Sequence, residues 1–124
     1  MKIDWGRVLN AGLIAEILLI VVFQIIVALY SNSNAANLTM ILGSFIFILV
    51  GALWVGQKIE SRFILHGFLV GIVAVVYYVI RTLPDVLSGE YANYWVIALW
   101  GHTPKLLGGI VGGYIAGKLK AKAV

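Results

Sequence analysis

The chain has 124 residues, of which 62% are apolar and 11% charged, with a formal net charge of +4 at pH 7. A chain this short has too high a surface-to-volume ratio to hide that much apolar surface from water, and it is too apolar to stay disordered. Soluble globular and disordered classes are excluded, and an integral membrane protein remains.

The finer composition narrows the chemistry. There is no cysteine, so disulfides, thiolate catalysis, iron–sulfur clusters and cysteine zinc sites are excluded. The two histidines, His66 and His102, cannot close a zinc site alone. The basic balance fits cytoplasmic loops of a membrane protein better than a nucleic-acid surface.

A helix needs about 20 apolar residues to cross a hydrocarbon core about 30 Å thick. The first segment that meets this is 8–30, interrupted only by Asn10, Glu16 and Gln24. It is too long and apolar for a cleaved leader, whose core is typically about 7–15 residues. Ser31-Asn32-Ser33-Asn34 is a polar turn. The second segment is 38–56, with Asn37 or Thr39 as its cap. The short charged run Gln57-Lys58-Ile59-Glu60-Ser61-Arg62 then forces an antiparallel hairpin with the third segment, 63–80. Residues 81–90, with Pro84 and Ser88-Gly89, read as a loop in which Arg81 and Asp85 are spaced to pair.

The last stretch, 91–119, is too long for one straight span, and Gly101-His102-Thr103-Pro104 divides it. Proline breaks a helix interior but suits a first turn. The expected span is therefore 104–119, capped by Thr103. A separate short aromatic helix over 91–100 precedes it, lying on the outer surface or dipping into the membrane. Strands are not expected, because none of these segments alternates as a membrane barrel does.

With the N-terminus in the cytoplasm and four crossings, Lys2, Arg7, Lys58, Arg62, Lys118, Lys120 and Lys122 lie inside, and only Arg81 and Lys105 lie outside. Such a bias sets both termini in the cytoplasm. The fold expected is a single all-α membrane domain, a four-transmembrane-helix bundle over 1–124.

A weak internal repeat suggests a duplicated hairpin. Ala11-Gly12-Leu13-Ile14-Ala15-Glu16-Ile17 lines up with His66-Gly67-Phe68-Leu69-Val70-Gly71-Ile72, and Gly51-Ala52-Leu53-Trp54-Val55-Gly56 with Gly112-Gly113-Tyr114-Ile115-Ala116-Gly117. Such a pair would be related by an axis along the membrane normal. Glycine lets helix backbones approach in lipid, where apolar burial gives little drive. Gly67 and Gly71 make one small-residue face. Gly108 with Gly112, and Gly109 with Gly113 and Gly117, make two adjacent tracks on the last span. One track is free to serve a neighbouring chain, or both pack internally.

Glu16 is the sharpest candidate for chemistry. An ionisable group at that depth is expensive and is a functional-site hypothesis by default. It is a protonated polar clamp, a proton- or cation-binding residue of a transport pathway, or a contact to another subunit or lipid. Gln24 and His66 are the other intramembrane polar candidates. His66 sits near the cytoplasmic face, within reach of Glu16 or a headgroup, and is more simply a hydrogen-bonded imidazole than a pigment ligand. His102, Thr103 and Lys105 are expected at the outer face, in contact with lipid or an anion at the helix start. No catalytic constellation, phosphate-binding loop, metal site or cofactor motif is visible, so no enzyme is expected.

The glycine-ended helix over 51–56, the charged turn, Leu65-His66-Gly67-Phe68-Leu69-Val70-Gly71 and the closing Leu107-Gly108-Gly109-Ile110-Val111-Gly112-Gly113 together resemble the YrzE-like family of small bacterial four-span membrane proteins. The resemblance covers about half the chain and implies a multi-pass protein of the bacterial cytoplasmic membrane, without implying an activity or site. The aromatic stretch 91–100 departs from it. Leu13-Ile14-Ala15-Glu16-Ile17 also resembles the first helix of small multidrug-resistance transporters, but their later Gly, Pro and Trp pattern is missing here.

Two function classes follow. One is a non-catalytic accessory subunit or scaffold that packs through glycine faces in a homo-oligomer or larger membrane complex. The other is a small oligomeric transporter or channel with Glu16 in its pathway. The lipid bilayer is a partner in both.

Overall fold

A computed structural model describes residues 2–30, 33–89 and 94–123, with backbone only for Ser33 and residues 94–99. Among the described residues every regular element is a helix: α1 (Trp5–Tyr30), α2 (Ser33–Lys58), α3 (Phe63–Leu87) and α4 (Tyr94–Ala123). Helices α1, α2 and α3 are long and apolar enough to cross a membrane. Three such helices mark a membrane protein.

Each helix outruns its expected bounds. At α1 the reason is a cap: the Arg7 N–H donates to Asp4 Oδ1 at 3.2 Å, so Asp4 closes the first turn of a helix that starts at Trp5, ahead of the apolar run. Neither Asn37 nor Thr39 caps α2, which starts at Ser33; the Thr39 hydroxyl donates back to the Ala35 carbonyl at 2.8 Å. Helix α3 continues through Arg81 and Pro84 and stops only at Ser88-Gly89. There Gly89 takes a left-handed φ of 81°, which ends the helix without Cβ strain. The expected loop over 81–90 is therefore mostly helix. The Ser31-Asn32 turn lies outside the described residues.

The break expected at Gly101-His102-Thr103-Pro104 is absent. Helix α4 runs unbroken for 30 residues with Pro104 inside it. Proline costs one backbone hydrogen bond, to the Trp100 carbonyl, and the helix absorbs that loss. There is thus no separate helix ending at residue 100. Residues 91–93 and the side chains of 94–99 lie outside the described residues.

The helices run up, down, up and down. Helix α1 contacts α2 and α3; α4 contacts the same two; and α2 touches α3 across the short diagonal. Helices α1 and α4 occupy the far corners, with no close backbone approach among the described residues. A two-fold axis relating the two hairpins would make the α1–α4 pair equivalent to α2–α3. These pairs differ, so the expected symmetry of a duplicated hairpin is not present in the packing.

Glycine and alanine set how close the helices come, and they do so unevenly along the bundle. A Cβ added at Gly67 would collide with the Gly109 carbonyl, and one at Gly109 with the Gly67 carbonyl. Gly113 lies equally tight against the Phe63 carbonyl, and Gly108 against that of Phe45. A Cβ on Gly112 would stand 2.6 Å from the Leu49 oxygen. The track of Gly109 and Gly113 therefore faces α3, and that of Gly108 and Gly112 faces α2. Gly117 packs against the Phe63 ring. Both tracks are used inside the chain, and neither is left for a neighbour.

These contacts occupy the half of the bundle that holds the N-terminal segment, the 59–62 turn and the end of α4. The same half carries the apolar core of Val8, Ala11, Ala15, Ile48, Val55 and Val70. Arg7 donates to the Lys58 carbonyl and Lys120 to the Ile59 carbonyl, which fixes these segments at one end, here called the basic end. Towards the opposite end the glycines of α4 stop at Gly101, where an added Cβ would meet only Met40 Sδ at 3.7 Å. The helices part there, and the space between them is the site described next.

Candidate functional site

Helix α1 puts Val8, Ala11, Gly12, Ala15, Glu16 and Leu19 on its buried face at three- and four-residue spacing. Glu16 is thus carried into the bundle by a stripe of small residues. It stands about 17 Å along the helix from Trp5 and about 21 Å from Tyr30 at 1.5 Å per residue, near mid-length. Its carboxylate is 1% exposed.

Its partner comes from the far corner. Lys105 lies on the same face of α4 as Gly101, Gly108 and Gly112, and Gly71 of α3 allows the backbone there to approach closely. A Cβ on Gly71 would stand 2.7 Å from the Lys105 carbonyl oxygen. The Lys105 side chain, 3% exposed, reaches across the bundle. Its Nζ donates to Glu16 Oε1 at 3.0 Å and lies 2.9 Å from Oε2 without hydrogen-bond geometry. The ion pair bridges the two helices whose backbones do not touch.

This overturns two expectations. Lys105 is not at an outer lipid or anion contact: continuation of α4 through Pro104 places it inside the bundle. Glu16, which has no evident partner in the sequence, has one 89 positions away. A pair this deep needs good geometry and further polar contacts to offset desolvation. Part of that comes from Tyr78 of α3, whose ring centroid is 4.7 Å from Lys105 Nζ.

Above the pair is a cavity of about 390 Å³, a size suited to a small molecule. Glu16 and Lys105 lie at its inner end. Ser44, Tyr78, His102 and Met40 line its middle, and Gln24, Asn37, Arg81 and Asp85 its outer part. It lies in the half of the bundle away from the basic end. Several polar atoms there are buried without a hydrogen-bond partner among the described residues: Ser44 Oγ, both ring nitrogens of His102, and Glu16 Oε2 apart from its contact with Lys105. Buried polar groups are normally satisfied, so these atoms keep hydrogen-bonding capacity for water or another polar group in the cavity.

The other expected site residues are distributed as follows. Gln24 is exposed and lines the cavity's outer part with no bond to another helix among the described residues. His102 packs edge-on against Tyr78, with ring centroids 4.8 Å apart. Thr103 is exposed and does not cap a helix start. Arg81 and Asp85 form no ion pair; the Arg81 guanidinium lies over the Tyr78 ring, 5.8 Å from its centroid.

His66 belongs elsewhere. Its Nδ1 donates to the Arg62 carbonyl at 2.9 Å, and its Nε2 accepts the Asp4 N–H at 3.2 Å. It ties the N-terminal segment to the start of α3 and does not join Glu16. Sequence reasoning missed Ser44, Met40 and Tyr78. A tyrosine and a serine among apolar residues carry no distinguishing spacing, and only the meeting of three helices gives them a common target.

No group of three or more His, Asp or Glu side chains able to hold a metal ion occurs among the described residues. Compared with protein-family models, curated proteins and solved structures, the chain has no match.

Proposed function

We propose that this chain is a four-span membrane protein that binds a small polar solute in the cavity above Glu16 and Lys105, as the binding site of a small oligomeric transporter. The observation that carries the reading is the buried ion pair at the inner end of a cavity lined with unsatisfied polar groups. Intramembrane ionisable residues that face a cavity are the usual marks of a solute or ion pathway. A carrier fits better than a channel, because glycine contacts close the half of the bundle beyond the pair.

The scaffold reading rests on glycine faces offered to other chains. Those faces are spent within the bundle, and this favours the solute-binding reading. Helix α4 is taken as the fourth span, because its 30 residues pack alongside α2 and α3 over the bundle's length.

Orientation follows from charge. With Lys105 internal, Lys2, Arg7, Lys58, Arg62, Lys118, Lys120 and Lys122 remain at the basic end and Arg81 at the other. That end is cytoplasmic by the positive-inside rule, so the cavity lies towards the outer face. The resemblance to YrzE-like proteins supports the bacterial cytoplasmic membrane as its location.

The chain has no cysteine, so a single Met40→Cys substitution gives a unique reporter within the cavity. A membrane-impermeant thiosulfonate should modify it in intact cells. Modification in neither intact cells nor inverted vesicles would refute an accessible solute cavity.

A further inference from the structure

We propose that the solute is a zwitterion, a small amino-acid-like molecule whose ammonium group binds Glu16 and whose carboxylate binds Lys105, so that it inserts into the ion pair. This rests on the solute-binding reading above and adds the chemical class of the ligand.

The charges in the cavity carry the argument. One acid and one base meet at its inner end, both almost wholly buried and in direct contact. A simple cation that bound Glu16 would draw the carboxylate away and leave Lys105 charged without its counter-ion at the buried end of the cavity. A simple anion on Lys105 would strand Glu16 in the same way. Loss of one partner from a buried pair is heavily unfavourable, because the remaining charge is neither solvated nor compensated. A ligand that carries both signs avoids this: one ion pair becomes two, and every charge keeps a partner.

The hydrogen-bonding inventory agrees. Glu16 Oε2 has acceptor capacity left, as its contact with Lys105 lacks hydrogen-bond geometry. The Lys105 ammonium has three donors, of which one is used on Glu16 Oε1. Ser44 Oγ is fully buried, lines the cavity and has no partner among the described residues. It can donate to a carboxylate or accept from an ammonium. The unpartnered His102 nitrogens supply one more donor and one more acceptor. In the outer part Arg81 and Asp85 repeat the two signs, so the cavity lining as a whole is balanced and draws neither cations nor anions as a class.

The test is protection of the Met40→Cys reporter. Its modification rate is measured in membranes with alanine, β-alanine or γ-aminobutyrate. The controls are methylammonium alone, acetate alone, and both together at matched concentrations. At least one zwitterion should slow modification in a saturable way, while the two halves, alone or mixed, should not.

Glu16→Gln and Lys105→Gln should each weaken protection by roughly thirtyfold or more, as expected when one partner of a buried charged contact is lost. If either single variant fails to fold, the Glu16→Met/Lys105→Met double variant serves in its place: it should still be modified and should show no protection. Protection by methylammonium or acetate alone to the same degree would overturn the zwitterion. So would modification that no zwitterion slows, and in both of these cases the solute cavity itself would stand. Absence of modification from either face would overturn the cavity reading and the zwitterion with it.

Discussion

The Glu16–Lys105 pair should show a stability cycle unlike that of an ordinary surface pair. Both side chains are essentially inaccessible in the intact pair, at 1% and 3% exposed, so truncation of one leaves the other charge buried without its counter-ion. Removal of one member of such a pair costs about 3–5 kcal/mol, whereas replacement of both by apolar groups of similar size is often neutral or stabilising. The two single variants should differ. In Glu16→Met, Lys105 keeps the Tyr78 ring face 4.7 Å from its Nζ, a cation–π contact worth roughly 0.5–2 kcal/mol. In Lys105→Met, Glu16 has no such second partner. Lys105→Met should therefore be the more damaging by about 1 kcal/mol, and the double variant should be more stable than either. The four tryptophans allow reversible unfolding in mixed micelles to be followed by fluorescence. Additive single effects in the double variant would refute a direct buried pair.

Other outcomes follow from the packing. Gly109→Ala forces a Cβ into the Gly67 carbonyl, a backbone atom that cannot yield, and should cost about 1–3 kcal/mol. Gly101→Ala meets only Met40 Sδ at 3.7 Å, so it should be tolerated, with a gain of up to about 1 kcal/mol from helix propensity; equal costs at the two positions in the same unfolding assay would contradict the uneven glycine packing. His66→Ala removes the acceptor for the Asp4 N–H and a donor to Arg62, and should cost about 1–2 kcal/mol while raising amide exchange at Asp4. Unchanged exchange at Asp4 would show that His66 does not hold the N-terminal segment. Reporter fusions after residue 34 should give a non-cytoplasmic signal and fusions at the C-terminus a cytoplasmic one; the reverse would overturn the orientation.

The sequence shows why some of this was legible and some was not. Apolar runs with short charged connections are enough to place α1, α2 and α3, because span length is set by bilayer thickness. Their ends were less visible, since caps such as Asp4 and stops such as Gly89 depend on local backbone geometry. The glycine tracks were visible as spacing, but which helix each faces is decided by tertiary packing. The main misreading came from Pro104. Treated as a helix start, it moved Lys105 to the surface and left Glu16 alone. Treated as a residue within one 30-residue helix, it puts Lys105 eleven positions beyond Tyr94, at a depth that demands an acidic partner. Glu16 is the acid buried at a matching depth, so that reading alone would have paired them. Ser44, Tyr78 and His102 could not be assembled in the same way, because no spacing links residues on three different helices.

Everything proposed for the site depends on Lys105 reaching across the bundle to Glu16. The most direct measurement is the dipolar coupling between 15Nζ-labelled lysine and 13Cδ-labelled glutamate in bilayers, made in a Lys120→Met background to remove the surface pair with Glu60. A strong coupling that disappears on Lys105→Met is expected from Nζ–Oε distances of 2.9 and 3.0 Å. No coupling that depends on Lys105 would place that side chain away from Glu16 and contradict the account.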